Sequence, residues 1–195
     1  MKKIATLMVV FLMLINVNVD YAAADIYQEG KPSTWATNDI LDLSTYDVLD
    51  QKMFRDYQDK ITRLEFIYLA VRLYESLTDT EIKPSTSVKF SDTTDVYALK
   101  GATVGITTGI GNGKFGPTAL LSREQLATMF VKTLELAGVS MTKSTYKFVD
   151  DAQISSYAKE PIYKAYHYEI IKGYNNAVNP RSEEHTSELQ SRHNL

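Results

Sequence analysis

The chain has no cysteine and a single tryptophan among its 195 residues. Without cysteine there can be no disulfide staple, thiolate metal site or cysteine nucleophile, so packing alone must hold the core. Histidine is scarce too: His167 stands alone in the body of the chain, and His185 and His193 fall in its polar end. There is no basic excess, since 21 Lys and Arg face 24 Asp and Glu for a net charge of -3. A nucleic-acid partner would want a basic face, and none is expected. Long apolar runs are also missing. Ile4 to Ile15, broken only by Thr6, falls short of the roughly 20 residues a membrane span needs. Lys2 and Lys3 precede that run and Ala22-Ala23-Ala24 follow it, the three-part pattern of a secretory signal peptide. Cleavage is expected after Ala24, giving an exported chain with no membrane segment. The remaining composition, 44% apolar and 23% charged, is that of a globular protein.

What the chain does contain is a repeat. Ile61-Thr62-Arg63-Leu64-Glu65-Phe66 returns 60 positions later as Leu121-Ser122-Arg123-Glu124-Gln125-Leu126. Phe90-Ser91-Asp92 returns as Phe148-Val149-Asp150, and Tyr97-Ala98 as Tyr157-Ala158, with Trp35-Ala36 in an earlier equivalent slot. Gly105-Ile106-Thr107-Thr108-Gly109 returns as Glu169-Ile170-Ile171-Lys172-Gly173. Features recurring in one order at one period signal a repeat architecture. The unit reads as an aromatic-Ala helix, a glycine turn and a capped helix. Thr62 with Glu65, and Ser122 with Gln125, form capping boxes that start helices. Leu64, Ile67, Val71 and Tyr74 make one apolar stripe of the first helix, and Phe66, Ala70 and Leu73 a second. Leu126, Met129, Phe130, Thr133, Leu134 and Ala137 make the stripe of the other. Gly138 suits the residue just past a helix end. Asn112-Gly113 marks a tight turn. Tyr157 to Ile171 reads as a helix with Pro161 in its first turn.

Phe-x-Asp, then aromatic-Ala, then Gly-x-Phe-x-Pro, then Thr-Arg-x-Glu resembles the S-layer homology repeat, over residues 34–180 and best over 90–137. The resemblance implies a mainly α fold: a pseudo-threefold bundle of helix-loop-helix repeats whose grooves bind secondary cell-wall polymer, often bearing ketal-pyruvate. Such modules attach surface proteins and exoenzymes to the cell wall without covalent bonds. It also implies a non-enzymatic protein, secreted and retained at the cell wall, that needs no cofactor. The expected organisation is a signal peptide (1–24), a linker (25–33), a divergent first repeat (34–84), a second repeat (85–143) and a third that is truncated (144–180). The first repeat lacks a clear Phe-x-Asp and carries Tyr46-Asp47-Val48 where a glycine turn belongs. The second has Gln125 in place of Glu, and the third stops before any Thr-Arg-x-Glu.

Arg63 and Arg123 follow the capping residues, so they are expected to point outward beside free first-turn N–H groups. A guanidinium at the positive end of a helix suits a carboxylate. Trp35, Tyr97 and Tyr157 are expected either to stack on sugar rings or to pack in the core, and Gly109 to line the same groove. Two other readings stay open: the anchor of a larger surface enzyme, and a protein-interaction module using the same helices. Gly109 to Lys114 is not a phosphate loop, because position 108 is Thr and Phe115 follows the lysine. Asp92, Asp95, Asp150 and Asp151 lack the EF-hand pattern and are expected to cap helices. Arg181 to Leu195 departs from the repeat. It reads as the translation of a sequencing adapter joined to a shortened gene.

Overall fold

The computed structural model describes residues 59–183. The expected signal peptide, the linker, the first half of repeat 1 with Trp35, and residues 184–195 of the odd tail lie outside them. The described part is mainly helical, and its only β pairing is a set of isolated bridges. Helix α1 runs Arg63–Thr78, α2 Val96–Thr103, α3 Arg123–Leu136 and α4 Lys159–His167, with a 3₁₀ turn at Asp151–Gln153.

Local chemistry accounts for each boundary. Both capping boxes are formed. The Thr62 hydroxyl accepts from the Glu65 N–H and the Glu65 carboxylate from the Thr62 N–H; Ser122 and Gln125 do the same for α3. Asp95 caps α2, its Oδ1 accepting from the N–H groups of Tyr97 and Ala98 at 2.8 and 3.2 Å. Gly138, at φ +87°, follows the end of α3. Helix α4 is shorter than the expected span, because Glu169 takes φ +58° and turns the chain away. Pro161 sits in its first turn, where no N–H is missed.

Two hydrophobic clusters form the core. Ile61, Phe66, Ile67, Val71, Ile106, Phe115, Leu121, Leu126 and Met129 belong to the first. Ala127, Val131, Phe148, Ile162, Ile171 and Val178 belong to the second. Helix α3 therefore contributes to both, Leu126 and Met129 on one side and Ala127 and Val131 on the other. The expected single stripe had omitted Ala127 and Val131. A helix that packs against both α1 and α4 is buried on two faces, which a one-sided periodicity does not reveal.

The units are joined by a repeating backbone device. The first-turn N–H groups of α1, Arg63 and Leu64, donate to the carbonyls of Ala119 and Pro117 at 2.8 and 3.1 Å. Those of α3, Arg123 and Glu124, donate to Ser182 and Pro180 at 2.9 and 3.0 Å. Bridges Thr62–Leu120 and Ser122–Glu183 flank these contacts. Each capped helix thus docks its start onto the loop of the following unit. Only main-chain carbonyls are needed, so Arg181-Ser182 can stand where Thr118-Ala119 stand one unit earlier. Paired ions repeat as well: Lys100 reaches Glu75 at 2.8 Å and Lys164 reaches Glu135 at 2.5 Å.

The Phe-x-Asp carboxylates do something other than cap a following helix. Asp92 accepts from the N–H groups of Phe115 and Gly116, both at 2.8 Å. Asp150 accepts from Val178 and Asn179 at 2.9 and 2.7 Å. Each clamps the turn that closes its own unit, which is a correction to the capping role. Asp151 instead accepts from the Lys159 ammonium and the Tyr163 hydroxyl, both at 2.9 Å.

The Phe115 N–H is the main cause holding the Asp92 pKa below the ordinary 3.8, with Gly116 and Lys114 adding to it. A carboxylate depressed in the folded state stabilises above its unfolded pKa and loses that contribution as pH falls through its folded value. Urea midpoints are therefore expected to fall as pH drops below about 4. The fall should be shallower in Asp92→Asn, which keeps an acceptor oxygen but does not titrate. Equal slopes for the two proteins would show that Asp92 is not among the groups responsible.

Candidate functional site

Arg63 and Arg123 occupy equivalent places at the junctions between units, but neither points freely outward. Arg63 is 7% exposed. Its Nη2 donates to the Thr107 hydroxyl at 2.8 Å and to the Gly109 carbonyl at 3.2 Å, and its guanidinium lies 5.6 Å from the centre of the Phe115 ring. Arg123 donates from Nε to the Val178 carbonyl at 2.9 Å and from Nη2 to the Lys172 carbonyl at 2.7 Å. Both guanidinium groups are thus turned onto the glycine turn of the next unit. The expectation of outward arginines beside free first-turn N–H groups is corrected on both counts. The side chains fold back over loop carbonyls, and the N–H groups of residues 63, 64, 123 and 124 are spent on the carbonyls of the following loop.

The Arg63 site has donor capacity left. Its Nε is buried and has no hydrogen-bond partner among the described residues. Burial pushes the guanidinium pKa down, and the Tyr157 phenol acts in the opposite direction, so Tyr157 lies within electrostatic reach. Tyr157 is 53% exposed and donates its hydroxyl to Glu124 Oε1 at 3.2 Å. Partial burial, followed by the Glu124 carboxylate, raises the Tyr157 pKa. Glu124 is itself buried and accepts from the Ser155 N–H and hydroxyl at 3.0 and 2.8 Å. The seam between α1, α3 and the segment leading into α4 therefore holds a buried cation, a buried carboxylate and an exposed aromatic ring.

The other expected residues fall elsewhere. Tyr97 is half-buried against Tyr68, with ring centres 4.3 Å apart, and Lys100 lies over its ring at 5.7 Å. Gly109 is required by close packing. At φ +80°, an added Cβ would stand 2.2 Å from the Lys114 carbonyl oxygen and 3.0 Å from the Phe90 ring. Gly173 meets Phe148 and the Ala177 oxygen in the same way. Asn112 and Gly113 take φ +51° and +67°, closing the turn that the Asn-Gly pair predicts. Glu124 was missed by sequence reasoning. Its counterpart in the earlier unit is Leu64, so the repeat carries no trace of its role. Among the described residues no cluster of three His, Asp or Glu side chains could hold a metal, and no helix is long and apolar enough to cross a membrane.

The described residues thus form short helical units that dock start-to-loop, with charged and aromatic groups gathered at the Arg63 seam. Residues 89–127 and 147–182 match the S-layer homology domain. This is an anchoring, non-catalytic domain that binds cell-wall polymers and goes with secreted proteins held at the cell surface. The chain is also 27% identical over 165 residues to an endoglucanase of Bacillus sp. (strain KSM-635). That match covers 81% of this chain and spans 17% of the endoglucanase.

Proposed function

We propose that this chain anchors a secreted protein to the wall by gripping pyruvylated secondary cell-wall polymer at the seams between its repeats. The observation that carries this reading is the Arg63 seam: a buried guanidinium with an unused Nε, within electrostatic reach of the exposed Tyr157. A ketal-pyruvate carboxylate matches the cation, and a sugar face matches the ring. Arg123 occupies the equivalent seam one unit on, where its loop is stapled by two carbonyl contacts. The repeats proposed to form the seams are 34–84, 85–143 and 144–180, following a signal peptide (1–24) and a linker (25–33). A second reading, the anchoring part of a larger surface enzyme, is favoured by the endoglucanase relative, of which this chain spans 17%.

Pull-down on purified native wall is expected to retain the parent protein, whereas wall stripped of pyruvate is expected to release it. Arg63→Ala and Arg123→Ala should each weaken retention roughly tenfold or more, the value of a charge-assisted hydrogen bond of about 1.5 to 3 kcal/mol. Both arginines also staple loops, so circular dichroism must first show each variant folded, and Arg63→Lys provides a variant that keeps the charge. If folded alanine variants bind as the parent does, or if stripped wall retains it equally, the seam is not the polymer site.

A further inference from the structure

Away from the Arg63 seam, and bordering the turn whose Lys172 carbonyl takes up Arg123, unit three carries an open cleft of about 510 Å³ lined by none of the arginines above. Tyr146, Phe148 and Tyr166 form its aromatic wall. Phe148 meets Tyr146 and Tyr166 edge-on, with centres 5.1 and 4.8 Å apart, and the two tyrosines lie 5.0 Å from each other. Asn176, Glu169 and Lys172 supply polar groups around it, and Asn176 already accepts from the Tyr146 hydroxyl at 3.0 Å.

Unit two shares the backbone around this cleft but not its side chains. The turn after each helix follows the same path: Ile106 and Thr107 donate to Gly101, and Ile170 and Ile171 donate to Ala165. On that shared backbone, Tyr166 and Glu169 stand where unit two has Ala102 and Gly105. By the same correspondence of turns and Phe-x-Asp segments, Tyr146 replaces Val88 and Asn176 replaces Gly113. Glu169 holds φ +58° in the place of Gly105 at +88°, and Asn176 holds +61° in the place of Gly113 at +67°. A glutamate in the left-handed region is strained where glycine is not. Folding alone would be served by the residues of unit two, so the added side chains at one cleft point to use there.

We infer that this cleft is a second glycan site, taking a neutral pyranose unit of a polysaccharide. Tyrosine rings pack against the apolar face of a sugar. Amide, carboxylate and ammonium groups at the rim can accept from and donate to its hydroxyls. The rim sets one carboxylate against one ammonium beside the His167 imidazole, so neither sign of charge dominates and an uncharged ring is the matching occupant. Its volume falls within the range of ligand clefts.

The test is saturation-transfer difference NMR on the full chain with cellotetraose and with chitotetraose, two uncharged pyranose chains without and with acetamido groups. Transfer to sugar ring protons is expected for at least one of them. Tyr166→Ala and Asn176→Gly restore what unit two carries and should leave the fold intact while cutting the transfer several-fold. Glu169→Gly should raise the thermal midpoint while weakening the transfer, an opposition that a merely structural residue would not show. Arg63→Ala should lose wall retention yet keep the transfer, which separates this site from the seam. Absence of transfer from both sugars at roughly 10 mM, well above a millimolar Kd, overturns the site. So does transfer that Tyr166→Ala leaves unchanged.

Discussion

Replacing Phe115 by alanine is expected to lower the unfolding free energy by about 3 to 5 kcal/mol, the cost of truncating a buried aromatic side chain. Phe115 is wholly buried, lies under the Arg63 guanidinium and packs on Phe90 with ring centres 5.4 Å apart. Its N–H is also one of the two held by Asp92. Truncation removes apolar contacts and the floor on which Arg63 rests, so wall retention should fall together with stability. Urea unfolding followed by far-UV circular dichroism measures the first effect, and pull-down at a temperature where the variant is folded measures the second. A loss under about 1 kcal/mol would mean that the surrounding side chains close over the gap, contrary to tight packing at this site.

Asp150→Ala is expected to cost about 2 to 4 kcal/mol, because it leaves two main-chain N–H groups without an acceptor. Asp150 is 8% exposed, and the N–H groups it holds belong to Val178, a core residue, and Asn179. The same loop presents the Val178 carbonyl to Arg123, and its next residue, Pro180, accepts from the Glu124 N–H. The variant should therefore loosen the docking of α3 as well as its own turn. Hydrogen exchange at the first-turn amides of α3 should accelerate, while that of α1, docked on a different loop, stays near the parent rate. Uniform acceleration across both helices would mean that the two units unfold as one.

Much of the local structure was legible in the residues themselves. Thr62 with Glu65, Ser122 with Gln125, Asn112-Gly113, Gly138 and Pro161 each act through atoms within a few positions along the chain, and each does what its chemistry predicts. The recurrence of Phe-x-Asp, aromatic-Ala and a capping residue followed by Arg also points to the S-layer homology repeat, which residues 89–127 and 147–182 match. The roles of the aspartates did not emerge. An aspartate ahead of a helix is ordinarily a cap, and Asp95 is one, but Asp92 and Asp150 reach 23 and 28 residues ahead to a closing turn. The inward turn of Arg63 and Arg123 is hidden from the sequence for the same reason. Their partners, Thr107, Gly109, Lys172 and Val178, lie 44 to 55 residues away and are mostly main-chain carbonyls that no side-chain pattern advertises.

The order and type of the elements, the period of the repeat and the places where the side-chain-capped helices begin came from the sequence alone, because capping, turn geometry and periodicity are short-range forces written in neighbouring residues. Which way the arginines face, which carbonyls take up the first-turn N–H groups, and how Glu124 comes to meet Ser155 and Tyr157 were decided only in three dimensions. Those contacts join one unit to the next, and a backbone carbonyl or a buried seam has no signature of its own until the chain has closed around it.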